Sequence, residues 1–290
     1  MGESFMQWNL IASEKIKPKE RSRLRIFAGT KYYRLKRRIE YLTDQKRYAS
    51  SIEERTLPYL HKTHKTILRR ELKDVDMWYQ ENKITNLQIA INKLNGVVVY
   101  PGETLSYWKL IGSTSKRKGY QKGMVLHYGS YKSGTGGGLC QLSNLIYWIT
   151  LHTPLTVVER HRHSYDVFPD SKRTQPFGSG ATCAYNYLDL QIRNDTDQPF
   201  QLCFELTETH LHGEWRSVLP PSMTYEVYQK DHRITHEHWG GYVRHNTIYR
   251  KVFNGQGKQI DDEYITENHA LMMYHPLLTH SESEVQSTDE

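Results

Sequence analysis

Gly136-Gly137-Gly138-Leu139-Cys140-Gln141-Leu142-Ser143-Asn144-Leu145-Ile146 joins a run of glycines to the start of an apolar stripe. Leu139, Leu142, Leu145, Ile146 and Ile149 are spaced for one face of a helix, which predicts a helix starting at Leu139. It runs out near His152-Thr153-Pro154, because proline cannot continue the hydrogen-bond ladder. Ahead of it, residues 112 to 138 are rich in Gly, Ser and Lys and read as a loop with short strands, including Met124 to Tyr128. Behind it, Leu155 to His163 reads as a strand. Extended segments on both sides of one apolar helix point to a sheet packed on a central helix.

Farther toward the N-terminus, Thr85 or Asn86 caps a second helix. Leu87, Ile91 and Leu94 form its stripe, and Asn95-Gly96 ends it. Val97 to Tyr100 then reads as a buried strand that stops at the Pro101-Gly102 turn, and Glu103, Leu105, Tyr107 and Leu110 follow in a loosely extended stretch. Toward the C-terminus, Leu188, Leu190 and Ile192 alternate, as do Phe200, Leu202, Phe204 and Leu206. The turn Asn194-Asp195-Thr196-Asp197 between them predicts a hairpin. A second hairpin is expected from Thr247 to Phe253, the turn Asn254-Gly255-Gln256-Gly257, and Lys258 to Thr266. The acidic tail from Ser281 to Glu290 reads as disordered.

The net charge of +7 is unevenly spread, with about ten net positive charges in the first ~75 residues and a slightly acidic remainder. Within that basic region Leu35, Ile39 and Leu42 follow a helical period. Residues 60 to 82 are again charged and read as partly helical, with Leu68, Leu72 and Val75 in register. The basic stretch suits a solvated helix face or peripheral contact with an anionic membrane. Nucleic acid is not expected as a partner, since no helix-turn-helix, finger or aromatic platform is present. No window approaches the ~20 apolar residues of a membrane span, and the start lacks the pattern of a secretory signal, so a cytoplasmic location is expected.

Cys140, Cys183 and Cys203 are odd in number and form no Cys-x-x-Cys pair, which argues against a disulfide framework or a cysteine-rich zinc site. His161-x-His163, His210-x-His212 and His236-x-His238 each place two imidazoles on one strand face. Solvated histidines account for them more simply, and no metal or cofactor is expected. Cys140 is different. In the first turn of a helix the dipole and free N–H groups favour an anion, so its thiol pKa is expected to fall, and the same N–H groups suit an oxyanion. Gly137 and Gly138 let the backbone approach a ligand, and Gln141 and Asn144 offer amide groups for orientation. A thiolate nucleophile works with a base. In Glu159-Arg160-His161-Arg162-His163-Ser164, alternation puts Glu159, His161 and His163 on one strand face and Arg160 on the other.

Tyr100-Pro101-Gly102-Glu103-Thr104-Leu105-Ser106, Gly119-Tyr120, Gly136 to Ser143, Glu159 to Ser164 and Leu188-Asp189-Leu190 through Asn194 resemble the VanW domain in order and spacing, over roughly residues 85 to 207. The resemblance implies an accessory protein of glycopeptide (vancomycin) resistance that acts on or binds cell-wall peptide precursors. Some family members are similar in activity to L,D-transpeptidases, which work through a cysteine acyl-enzyme. Cys140 matches the motif cysteine, and His163 is the best match for its histidine, with His161 beside it. Glu103, Glu159 and Arg160 fall in the matched motifs, with Gly137, Gly138, Gln141 and Ser143, as substrate or oxyanion contacts. The implied partner is a peptidoglycan precursor or stem peptide; the alternative is a non-catalytic binding or scaffold protein. Many family members carry Asp where this chain has Gly180, and Glu159 or Asp166 is the available substitute.

The expected fold is α+β. A basic helical region over 1–82 precedes a VanW-like domain over 83–212, in which a mainly antiparallel sheet packs on the central helix. A β-rich extension follows over 213–280, then the tail over 281–290.

Overall fold

The computed structural model describes residues 21–69, 77–127, 129–162, 164–167 and 175–276. Tyr128, His163, the predicted register of Leu72 and Val75, and the acidic tail lie outside them. In chain order the elements are α1 (Arg23–Thr43), β1 (Arg47–Tyr48), β2 (Ser51–Ile52), β3 (Tyr59–Ile67), α2 (Met77–Leu94), β4 (Val97–Val99), β5 (Glu103–Ser106), α3 (Tyr107–Ile111), β6 (Lys122–His127) and β7 (Ser130–Thr135). There follow α4 (Cys140–Thr150), β8 (Thr156–Glu159), β9 (Tyr165–Asp166), β10 (Gln191–Arg193), β11 (Phe200–Leu206), β12 (His210–Ser217), β13 (Met223–His236), β14 (Tyr242–Asn254) and β15 (Gln259–Met272).

α4 is the central helix. From Leu142 onward nearly every side chain is buried, so it is covered all round, as a mostly apolar helix must be. It lies against β3, β12 and β8. Leu142, Leu145, Ile146 and Ile149 enter one core with Leu190, Ile192, Phe200, Leu202, Leu211 and Trp215. Each such side chain contributes roughly 1.5–3 kcal/mol on leaving water. The one polar demand of Trp215 is met inside the core, where its indole N–H donates to Thr150 Oγ1 at 2.9 Å.

Two sheets flank this core, ordered β1-β5-β10-β8 and β2-β4-β11-β12-β3. A third, β13-β14-β15-β9, carries the C-terminal meander, and β6-β7 is a separate ribbon. Most pairings are antiparallel, with β1/β5 and β15/β9 parallel. The fold is therefore α+β. The second predicted hairpin is β14/β15, longer than its sequence pattern suggests. Arg250 of β14 ties the meander to the end of α4 by donating to the carbonyls of Leu151 and Thr153.

Three sequence expectations are corrected. β10 and β11 do not form a hairpin: β10 pairs with β5 and β8, and β11 with β4 and β12. The buried Asn194 is the reason. Its amide donates to the carbonyls of Val99 and Gln198 while its Oδ1 accepts from Thr196 N–H, so the turn hands the chain from one sheet to the other. Residues 59–67 are a strand, because His210 to Ser217 offers them a full antiparallel ladder that outweighs weak helical propensity. Finally, α2 begins at Met77, and Asn86 lies inside it rather than at its cap.

Candidate functional site

The glycine run folds as a tight turn that packs on the β6/β7 ribbon. Gly137 rests so close to Gly123 that a Cβ would stand 2.2 Å from the Gly123 carbonyl carbon, and Gly138 adopts φ +91, which favours glycine. Asn86 clamps the turn. Its amide donates to the carbonyls of Gly137 and Gln121, and its Oδ1 accepts the Gln121 N–H. Gly137 and Gly138 thus spend their lack of side chain on packing.

The turn delivers Cys140 to the first residue of α4, as its sequence predicts. Tyr107 fixes the preceding residue by donating to the Leu139 carbonyl at 3.0 Å. The thiol does not have the depressed pKa expected there. Burial pushes it up, and the backbone N–H groups of Cys183 and of Cys140 itself only partly oppose that, although the residue keeps some exposed surface. The next N–H groups of the helix do not serve as free oxyanion donors. Gln141 N–H is taken by the Gly138 carbonyl, and those of Leu142 and Ser143 by the Leu139 carbonyl.

Cys183 lies beside Cys140, and burial raises its thiol pKa too. A strap over residues 180–183 places it there. Ala181 N–H donates to Asn144 Oδ1 at 2.8 Å, Ser143 Oγ donates to the Ala181 carbonyl at 2.7 Å, and Thr182 N–H donates to the His161 carbonyl at 2.8 Å. Gly180 fits this strap because a Cβ would come within 2.6 Å of Asn144 Oδ1. Arg160 secures the strap's approach, donating to the carbonyls of Gly180 and Gly178 while its guanidinium lies over the Tyr147 ring. Gln141 turns away, donating to Thr66 Oγ1 and the Ile67 carbonyl. Glu103 accepts Tyr100 N–H in the Pro101-Gly102 turn and faces Arg47. Asp166 lies in the third sheet, where it faces Arg244 of β14 and accepts from the Tyr274 hydroxyl.

Glu159 and His161 do meet, with Nε2 2.9 Å from Oε1. Among the described residues no hydrogen bond joins His161 to the Cys140 sulfur. Glu159 is instead the hub of a polar cluster that sequence reasoning missed. Arg37 of α1 grips it with two bonds of 2.7 and 2.6 Å, and Asp189 N–H donates to it at 3.1 Å. Burial alone would raise the Glu159 pKa, but hydrogen bonds from His161 and Arg37 outweigh it and lower it to about 2. Asp189, wholly buried, accepts from Ser106 Oγ at 2.5 Å, Trp108 N–H at 3.0 Å, Tyr41 hydroxyl at 3.0 Å and Gln191 Nε2 at 3.2 Å. Burial nevertheless holds its pKa above the usual carboxylate range. Asp189 was findable, since a lone carboxylate between Leu188 and Leu190 in an alternating stretch signals a satisfied buried charge. Among the described residues no group of three or more His, Cys, Asp or Glu gathers to hold a metal.

A family model described as VanW like protein matches residues 82–216. Vancomycin B-type resistance protein VanW of Enterococcus faecalis (strain ATCC 700802 / V583) is 34% identical over 227 residues, covering 78% of this chain and 82% of that protein. The chain belongs to the VanW family. Uncharacterized protein YoaR of Bacillus subtilis (strain 168) is 28% identical over 114 residues, 39% of this chain and 36% of that protein. No solved structure matches the chain. The VanW match starts within α2 and ends in β12, so it contains Cys140, Cys183, Glu159, His161 and Asp189. Arg37 and Tyr41 reach this cluster from α1, outside the matched VanW segment.

Proposed function

We propose that this VanW-family chain is an accessory protein of vancomycin resistance whose site around Cys140 takes a cell-wall peptide precursor or stem peptide. The observation that carries this reading is the seating of Cys140 at the amino end of α4, under the strap that brings Cys183 beside it. The backbone N–H groups of Cys183 and of Cys140 itself, which favour the thiolate, would also favour negative charge that develops next to the sulfur. In the catalytic form of the reading, the Cys140 thiolate attacks a peptide carbonyl, the sulfur–carbon bond forms, and the leaving amine departs with a proton from a neighbouring acid. His161, oriented by Glu159 and joined through its carbonyl to the strap that holds Cys183, is the described candidate for the proton carrier.

A second reading is favoured by the desolvated, protonated thiol: the site binds the precursor without forming a bond to it. Incubation with a synthetic stem peptide ending in D-Ala, followed by intact-mass and peptide mapping, separates the two. An acyl adduct on Cys140 that is absent in Cys140→Ala supports catalysis. Saturable binding without an adduct, retained in Cys140→Ser, supports the second reading. Absence of both adduct and binding removes both.

A further inference from the structure

Among the described residues, α1 meets the body of the protein through one face. Tyr33 packs on the Tyr187 ring, Arg34 lies over the Tyr185 ring and offers its carbonyl to Asn186, Arg37 grips Glu159, and Tyr41 reaches Asp189. No residue of the helix is buried. At about 100° per residue, Leu24, Leu35, Ile39 and Leu42 fall on a different face, roughly 140° from Arg37 and Tyr41. That face is in solvent: Leu24 is 78% exposed, Leu35 58% and Leu42 84%. Tyr32 widens the stripe, and it is exposed as well. Scattered exposed leucines need no explanation, but a continuous stripe along a docked helix does.

The residues beside the stripe are basic. Lys31 and Arg38 border one side, Arg25 and Lys36 the other, and Glu40 is the only acidic residue in the helix. An apolar band edged by cations suits a surface that offers acyl chains beneath anionic headgroups. It suits a second copy of this helix poorly, because the two basic edges would repel.

We propose that α1 is an interfacial helix that lays its Leu24-Leu35-Ile39-Leu42 stripe into an anionic phospholipid surface while Arg37 and Tyr41 keep it clasped to the protein. The polar cluster of Glu159 and Asp189 then lies about one helix diameter, ~10 Å, from the lipid.

The test is co-sedimentation of the full chain with vesicles rich in phosphatidylglycerol and with vesicles of phosphatidylcholine alone, run for the native protein, Leu35→Glu/Leu42→Glu and Lys31→Glu/Arg38→Glu. All four altered side chains are exposed, so both variants keep the native circular dichroism and melting transition. Expected is binding to the anionic vesicles that weakens as salt rises from about 0.1 M to about 0.5 M. Each variant is expected to lose at least tenfold in vesicle affinity. Equal partition of native protein and Leu35→Glu/Leu42→Glu, or no sedimentation with either vesicle, overturns the proposal. So does a dimer in light scattering that the leucine substitutions dissociate while vesicle binding is absent, since the stripe would then be a contact between copies.

Discussion

Arg37→Ala removes the clasp between α1 and the VanW segment, and its cost follows from the geometry. Arg37 and Glu159 side chains are 13% and 18% exposed, and two short charge-assisted bonds join them. Removing one partner of a fully buried ion pair costs about 3–5 kcal/mol, and a charged hydrogen bond contributes about 1.5–3 kcal/mol. Glu159 keeps His161 and the Asp189 N–H, and both side chains see some water, so the expected loss is about 2–3 kcal/mol. At about 2–4 °C per kcal/mol for a chain of this size, the melting temperature falls by about 4–12 °C. The effect has a pH signature. Glu159 is lowered from 4.5 to about 2, so its contribution is complete above pH 4.5 and is lost as pH falls toward 2. Native protein and variant therefore converge in stability across that window. Urea unfolding at several pH values, with a double-mutant cycle to Glu159→Gln, measures both the cost and the coupling. A cost below about 0.5 kcal/mol at pH 7, or a gap that stays constant from pH 5 to pH 2, would show that the pair does not hold α1.

Three further outcomes follow from the same contacts. Asp189→Asn turns an amide N–H toward the donors of Ser106, Trp108 and Tyr41, and should cost about 2–4 kcal/mol in chemical denaturation, whereas a neutral result would show that Asp189 is already protonated and bonded differently. Gly137→Ala sets a methyl carbon against the Gly123 backbone and should lower the melting temperature more than Gly102→Ala, whose Cβ meets open space despite its positive φ; the opposite order would refute the packing role of the glycine run. Because burial raises the Cys140 thiol pKa, iodoacetamide should label it slowly at neutral pH and faster only above the ordinary thiol range, and rapid labelling near pH 7 would contradict the desolvated thiol.

The central helix and its glycine run were legible because a strong apolar period has one economical solution, a helix covered on all sides. The long β14/β15 hairpin was legible for a similar reason, a glycine turn between two β-rich runs. The exchange of β10 and β11 between sheets was not, since it depends on where the Asn194 amide finds its partners, and Val99 is far away in sequence. Likewise the repeat His61-Lys62-Thr63-His64-Lys65-Thr66 has no apolar alternation; only its partner strand makes it β. At the site, local reasoning placed Cys140 at the helix start and Glu159 with His161, both set by chain geometry within a few residues. It could not see that the strap brings Cys183 beside a desolvated Cys140, or that Arg37 closes over Glu159 from 122 residues away. The same helical period that flagged Leu35, Ile39 and Leu42 gave no sign of which way that face points.

The claim that a cell-wall peptide occupies the Cys140 site is tested most directly by alkylation footprinting. Cys140 and Cys203 are labelled at alkaline pH with and without a stem peptide ending in D-Ala, and the rates are read residue by residue by mass spectrometry. Slower labelling of Cys140 at saturating peptide, with Cys203 on β11 unchanged, is the predicted result. Identical Cys140 rates in the presence and absence of peptide would contradict it.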